Sequence, residues 1–336
     1  MKLSPGFPAL LESFFVDRLL HQRRASPHTV QSYRDTFRLL LAFAQQHLKK
    51  APSVLALDDL DTPVIGAFLD HIEKARGNSP RTRNARLAAI HAFFQYAALQ
   101  APDHSAVIQR VLAMQGKKYD RSLVHFLSRP EVDALLEAPD RATWPGRRDR
   151  ALLLVAVQTG LRVSELVGLR VQDVVLGTGA HVHCLGKGRK ERCTPLRKEA
   201  VAVLRAWLRE RAATPTAPLF PNTRGGVLSR DGVEYLLAKH VQVAKTVAKT
   251  QCPSLKQKRV SPHVLRHSTA MDLLQAGVDS SVIALWLGHE SVETTQIYFA
   301  ASLQLKERAL AKTAPMAMRP TRFRPDDKLL AFLQSL

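Results

Sequence analysis

The chain has 336 residues, 46% of them hydrophobic, and carries 49 Lys and Arg against 29 Asp and Glu for a net charge of +20. That length exceeds one usual hydrophobic core and predicts two domains, and the apolar content excludes global disorder. With no apolar run of 18 residues, a Pro-interrupted start that does not read as a signal peptide and three cysteines without CxxC spacing, a membrane span and a disulfide framework are excluded and a reducing, cytoplasmic setting is expected.

The charge excess is not a tail. Residues 1–120 carry 16 basic and 10 acidic side chains, and residues 121–336 carry 33 and 19. A structured chain this basic faces a polyanion, and nucleic acid is the expected partner.

The first part reads as all helix. Leu10 to Leu20 forms a short amphipathic segment. Ser26-Pro27 opens a second helix, with Ser as cap and Pro in the first turn, followed by Val30, Tyr33, Phe37, Leu40, Leu41 and Ala44 at helical spacing. Asp61-Thr62-Pro63 opens a third, running to about Glu73. Ser79-Pro80 opens a fourth, with Leu87, Ile90, Phe93, Phe94 and Ala97 on its apolar face. Its first turns carry Arg81, Arg83 and Arg86. Positive charge opposes the dipole at a helix N-terminus, so this placement favours a phosphate partner over a merely solvated face. Residues 117–127 form a basic linker, with Lys117 and Lys118 as further phosphate contacts. It ends at Ser128-Arg129-Pro130-Glu131, a capping-box opening.

The second part is mixed. An apolar helix spans Arg148 to Thr159, Gly160 ends it, and a short helix follows from Val163 to Leu169 with Arg162 just inside it. Residues 171–196 switch to strand character. HVHCLGKGRKERCTPL reads as a β-hairpin with Lys187 at its tip and Arg189 and Lys190 beside it, facing the polyanion. His181 and His183 share a strand face without further ligands and do not make a metal site. From Lys198 the pattern is helical again, broken at 212–231 and 250–261. Ser261-Pro262 opens a helix that places His263 and Arg266 three apart. Another helix stops at Gly288; His289 follows at once, and Tyr298, one of five tyrosines, lies nine residues on in a polar stretch. Residues 314–325 are Pro- and Arg-rich, and 326–336 form a short amphipathic helix.

The set Arg162, Lys187, His263, Arg266, His289 and Tyr298 points to chemistry on a phosphodiester. Two guanidiniums match the non-bridging oxygens of one phosphate and stabilise charge that builds as phosphorus is attacked. A tyrosine hydroxyl becomes a nucleophile when a base takes its proton, and histidine serves as that base. A lysine on a hairpin tip can protonate a leaving hydroxyl. Each residue alone has a plainer reading: Arg162 paired to Glu165, Lys187 as a turn lysine, Tyr298 as packing.

Together they resemble the tyrosine recombinases of the phage integrase class, close to the bacterial Xer recombinases. LRVSELVGL, LGKGRKER-x-x-PL, HVLRHS and LGH with Tyr nine residues later carry the likeness, which extends to SPHTVQSYRDTFRLLLAFA near the start. The resemblance implies a mainly α fold with a small antiparallel β-sheet (α+β): a helical SAM-like core-binding domain over 1–116, the linker 117–127, a catalytic domain over 128–313, and a tail over 314–336 whose helix contacts another protomer. It implies that Arg162 and Arg266 clamp the scissile phosphate, Lys187 protonates the 5′-oxygen, His263 assists the nucleophile, His289 buttresses the phosphate and Tyr298 forms a 3′-phosphotyrosyl link. Glu165 supports the site, and Asp173 belongs to the fold. Neither metal nor ATP is required, because the covalent link stores the phosphodiester energy. The expected partners are double-stranded DNA with a specific site, a homotetramer on two duplexes, and partner recombinases.

The long tail after Tyr298 and the segment KTVAKTQCPSLKQKRV, read as an enlarged basic loop, favour a mobile-element recombinase over Xer-type dimer resolution. Rival readings are a relaxing topoisomerase with the same chemistry and a DNA-binding protein whose catalysis depends on a partner.

Overall fold

The computed structural model describes residues 5–119, 124–186, 191–211, 213–247, 252–289, and Thr295 and Tyr298. The chain divides into two compact units, Met1–Arg121 and Ser122–Leu336. Among the described residues no helix is long and apolar enough to cross a membrane.

The first unit is helical. Helix α1 (Phe7–Ser13) runs into a π-helix (Phe14–Gln22), followed by α2 (Pro27–Leu48), α3 (Thr62–Lys74), α4 (Pro80–Gln100) and α5 (Ser105–Leu112). Side-chain caps start three of them: Ser26 accepts from the Thr29 N–H, Asp61 from Val64 and Ser79 from Thr82. Each cap satisfies an amide that the helix cannot, and proline in the first turn loses no bond there. The sequence pattern predicts one amphipathic helix over Leu10–Leu20, but the chain widens into π geometry. The i→i+5 ladder lets Phe14 and Leu19, five apart, both turn inward, each 1% exposed. Phe93 sits at the centre of the core. Its ring meets Phe7, Phe14 and Phe37 edge-to-face at 5.7, 5.6 and 5.3 Å, the arrangement aromatic quadrupoles favour. Helix α5, absent from the sequence reading, closes this unit by burying Ile108 and Val111.

In the second unit α6 (Arg129–Glu137) opens with the expected capping box. Helix α7 (Trp144–Thr159) begins a turn earlier than predicted, because Thr143 caps it through the Gly146 N–H. It is buried around most of its circumference and packs against α9 (Lys198–Arg211) and α11 (Pro262–Gln275). Between α8 (Val163–Gly168) and α9 lies an antiparallel sheet of β1 (Val174–Val175), β2 (His181–Leu185) and β3 (Glu191–Pro195), in that order. The β2–β3 register pairs His183 with Cys193 and Leu185 with Glu191. His181 bonds the Gly179 carbonyl and His183 faces Glu191. Helices α10 (Arg230–Val247) and α12 (Ser280–Leu287) are the remaining α-helices among the described residues of this unit.

Two polar clusters tie this core together. Asp149, 1% exposed, accepts from Arg148 at 2.7 and 2.9 Å and meets His240 of α10 at 2.8 Å. Arg148 also donates to the Pro221 carbonyl. Glu131, equally buried, receives Ser254 and Lys258 at 2.7 and 2.6 Å. For the described residues, 245–247 and 252–260, the second cluster corrects the reading of 245–260 as an enlarged basic loop. Lys245 lies within α10, Pro253–Gln257 is a 3-10 turn, and Cys252 and Leu255 are buried. Two of its basic side chains are spent on internal acceptors, Lys258 on Glu131 and Lys245 on the Lys258 carbonyl, while Lys256 and Arg259 are exposed.

Candidate active site

Arg162 caps α8 from outside rather than lying within it, because its extended backbone makes the turn after Gly160. Glu165, at the third helical position, accepts from the Arg162 N–H at 2.7 Å and from its Nη1 at 3.0 Å. The motif spacing R-x-x-E is thus a capping box that also aims a guanidinium. Arg162 Nη2 reaches the Gly288 carbonyl at 3.1 Å.

Arg266 is 4% exposed and donates to two carbonyls, Gly160 and Leu287, both at 2.7 Å. These close the C-termini of α7 and α12, where the helix dipoles favour a cation. Burial first, then Arg162, pulls Arg266 down to about 10, which leaves it charged at neutral pH. Gly160 and Gly288 suit the shape of the backbone here. Both have positive φ, +63° and +66°, and a Cβ would come within 2.6 Å of Leu287 Cδ2 and of Arg192 Nη1 respectively.

Tyr298 is 1% exposed and packs with Ala270, Met271, Leu274, Ile283 and Leu287. Its hydroxyl lies 3.0 Å from Nδ1 of His267. His289 stacks nearly parallel to it, with ring centroids 6.4 Å apart, and is fixed by Thr295 at 2.8 Å. Burial, reinforced by Arg266 and Arg162, pulls His289 to about 4. Burial raises the Tyr298 hydroxyl above 10, against the pull of the two arginines.

The structure therefore gathers Arg162, Arg266, His289, Tyr298 and Glu165 from four separated stretches of sequence. His263 sits at the exposed start of α11, edge-on to His267 at 5.3 Å, so His267 stands nearer the tyrosine. Lys187, Arg189, Lys190 and the tail helix lie outside the described residues.

Sequence reasoning missed two members, His267 and Arg192. His267 is four residues after His263 and so shares its helix face, which was a usable signal. Arg192 of β3 grips the Glu165 carboxylate with Nη1 at 3.1 Å and Nη2 at 2.7 Å. Burial works to raise Glu165, but Arg192 and Arg162 outweigh it and hold the carboxyl below its usual range. Three guanidiniums around one carboxylate leave two positive charges in excess among the described residues. Such a site suits an anion with two free oxygens.

The basic face predicted on α4 is only partly free. Arg81 and Lys118 are exposed. Arg83 is 8% exposed and turned to Glu73 at 3.5 Å, and Lys117 meets the same carboxylate at 2.7 Å. Arg86 donates to the Ser32 carbonyl and Thr36 Oγ1, joining α4 to α2.

Comparison with known proteins agrees over both units. The phage integrase family matches residues 125–304, and the phage integrase N-terminal SAM-like domain matches residues 13–101. The integrase/recombinase y4rC of Sinorhizobium fredii is 62% identical over 97% of both chains. The tyrosine recombinase XerD of Pseudomonas putida is 34% identical over 84% of this chain and 90% of its own. Among solved structures, the XerH site-specific recombinase in a post-cleavage complex with its difH substrate shares the fold, with TM-score 0.68 and 24% identity over 86% of this chain and 81% of that one. The chain belongs to the phage integrase family of tyrosine recombinases, DNA breaking-rejoining enzymes with a SAM-like N-terminal domain.

Proposed function

We propose that Tyr298 is the nucleophile of this site-specific recombinase and that Arg162 and Arg266 hold the scissile phosphate between them. Attack by Oη forms a 3′-phosphotyrosyl bond and releases a 5′-hydroxyl. Lys187 protonates that leaving oxygen, His263 assists proton movement at the nucleophile, and His289 braces the phosphate. Glu165 orients Arg162. The observation that carries this reading is the convergence of Tyr298, two guanidiniums and His289 in one buried cluster whose positive charge exceeds its negative. The covalent bond keeps the energy of the phosphodiester, so a second DNA end can be joined without ATP or metal.

In this reading residues 1–116 form the core-binding domain and 128–313 the catalytic domain, joined by 117–127. Four copies act on two duplexes in the cytoplasm, and the helix over 326–336 docks on a neighbouring protomer. Arg81, Lys118, Arg189 and Lys190 contact phosphates. The identity with y4rC, an integrase/recombinase, favours a mobile element. The identity with XerD favours dimer resolution as the second reading, and outcrossing of two sites on a plasmid against insertion at a new site separates them.

The test uses duplex DNA carrying the site recovered by selection from a randomised library, nicked so that the short fragment diffuses away. The wild-type chain is expected to give an SDS-resistant adduct whose tryptic peptide contains Tyr298, and Tyr298→Phe none. An adduct formed equally by Tyr298→Phe overturns the assignment.

A further inference from the structure

The histidine that touches the tyrosine is one residue beyond Arg266. Resting on the reading of Tyr298 as nucleophile, we propose that His267 is a further catalytic residue, whose imidazole Nδ1 takes the hydroxyl proton of Tyr298 as Oη attacks phosphorus. Nδ1 lies 3.0 Å from Oη, within the reach a general base needs. The two rings meet at 63° with centroids 5.5 Å apart, so the phenol approaches the edge of the imidazole, where its nitrogen lone pair lies. Tyr298 is 1% exposed, which keeps bulk water from competing for the proton.

The surroundings keep His267 unprotonated. Burial, then His263 and Arg266, holds it near 4, so it is neutral at neutral pH. A phosphate entering between Arg162 and Arg266 brings negative charge close by and raises its basicity at the time of attack. His263 is one ring further out, exposed and edge-on to His267 at 5.3 Å. Helix α11 thus carries both histidines on one face, with the inner one against the nucleophile.

The step balances. The Oη–P bond forms as the P–O5′ bond breaks. The hydroxyl proton passes to Nδ1, and the 5′-oxygen receives a proton from Lys187. In rejoining, a 5′-hydroxyl oxygen attacks phosphorus and gives up its proton to the lysine. The departing Oη takes its proton back from Nδ1.

His267→Asn places an amide oxygen near the position of Nδ1, keeping an acceptor without a base. His267→Phe keeps a ring without nitrogen. Single-turnover cleavage is measured on the nicked duplex with an ordinary 5′-oxygen and with a 5′-bridging sulfur. Sulfur departs without protonation, so it restores cleavage when the acid is lost and not when the base is lost. Both variants are expected to slow cleavage by about 100-fold or more on either leaving group, with DNA binding and melting retained. His267→Asn cleaving within about threefold of wild type would reduce His267 to a packing residue. Recovery on the sulfur substrate would move its role to the leaving group; either result overturns the proposal. Should His267→Phe melt early, His267→Asn and His267→Gln decide. A wild-type adduct at Tyr298 alongside unimpaired His267→Asn defeats this inference alone, whereas no wild-type adduct at Tyr298 defeats the underlying assignment.

Discussion

Replacing Glu165 by Gln tests how the arginine cluster is held. The carboxylate receives four hydrogen bonds, from the Arg162 N–H and Nη1 and from Arg192 Nη1 and Nη2, at 2.7 to 3.1 Å. Its side chain is 4% exposed, that of Arg192 11% and that of Arg162 28%. Glutamine turns one acceptor into a donor that faces guanidinium donors, and it leaves three clustered cations without their counter-charge. Breaking a buried pair costs about 3–5 kcal/mol, and the partial exposure of Arg162 places this one near 3. That corresponds to a loss of roughly 100-fold in the folding equilibrium and about 6–12 °C in melting temperature for a unit of this size. All three tryptophans, Trp144, Trp207 and Trp286, belong to the second unit, so tryptophan fluorescence in a urea titration follows that unit selectively. Because the folded-state carboxyl lies below its ordinary 4.5, the stabilisation is present above that value and is lost as pH falls through the lower folded value. Glu165→Gln should therefore approach wild-type stability only in acid. A loss under about 0.5 kcal/mol at pH 7 would refute the reasoning and make the cluster a surface network.

Four further outcomes are expected. Gly288→Ala should lose about 1–2 kcal/mol by urea titration, since a non-glycine residue at φ +66° is strained and its Cβ displaces Arg192. Asp149→Ala leaves Arg148 buried without its charge partner and should cost about 3–5 kcal/mol in the same assay. His267 and His289 have folded values near 4 against an ordinary 6.5, so the unfolded chain binds more protons between those values. Stability should decline as pH falls from 6.5 toward 4, and a His267→Asn chain should show a shallower decline by thermal melting. Arg81→Ala should reduce the salt slope of DNA binding by about one, whereas Arg83→Met should lower stability and leave the slope unchanged, as measured by fluorescence anisotropy across a salt series.

Much of the local structure was legible in the chain. Ser26, Asp61, Ser79 and Ser261 each announce a helix because a side-chain oxygen placed before proline satisfies a terminal amide without help from the rest of the fold. The capping box at Arg162 and the glycine stops at 160 and 288 are local in the same sense. The motif set and its spacing were enough to indicate tyrosine recombinase chemistry. The second unit's register of contacts was not legible. Nothing local to Glu165 says that Arg192, 27 residues on in a strand, will reach it. Nothing in the fourth helix says that Arg83 will be matched by Glu73 while Arg81 stays free, because a basic turn reads alike whether it meets solvent, phosphate or a carboxylate. The loop expected at 245–260 is held by Glu131, more than a hundred residues earlier. The pair His263 and His267 shows the division most clearly. Helical periodicity puts both on one face of α11, but only the packing of Tyr298 against that helix decides which ring lies 3.0 Å from its hydroxyl. Caps and turns depend on neighbours in sequence, and the chain determines them directly. Which histidine meets Tyr298 depends on contacts between distant segments, and those exist only once the core has closed.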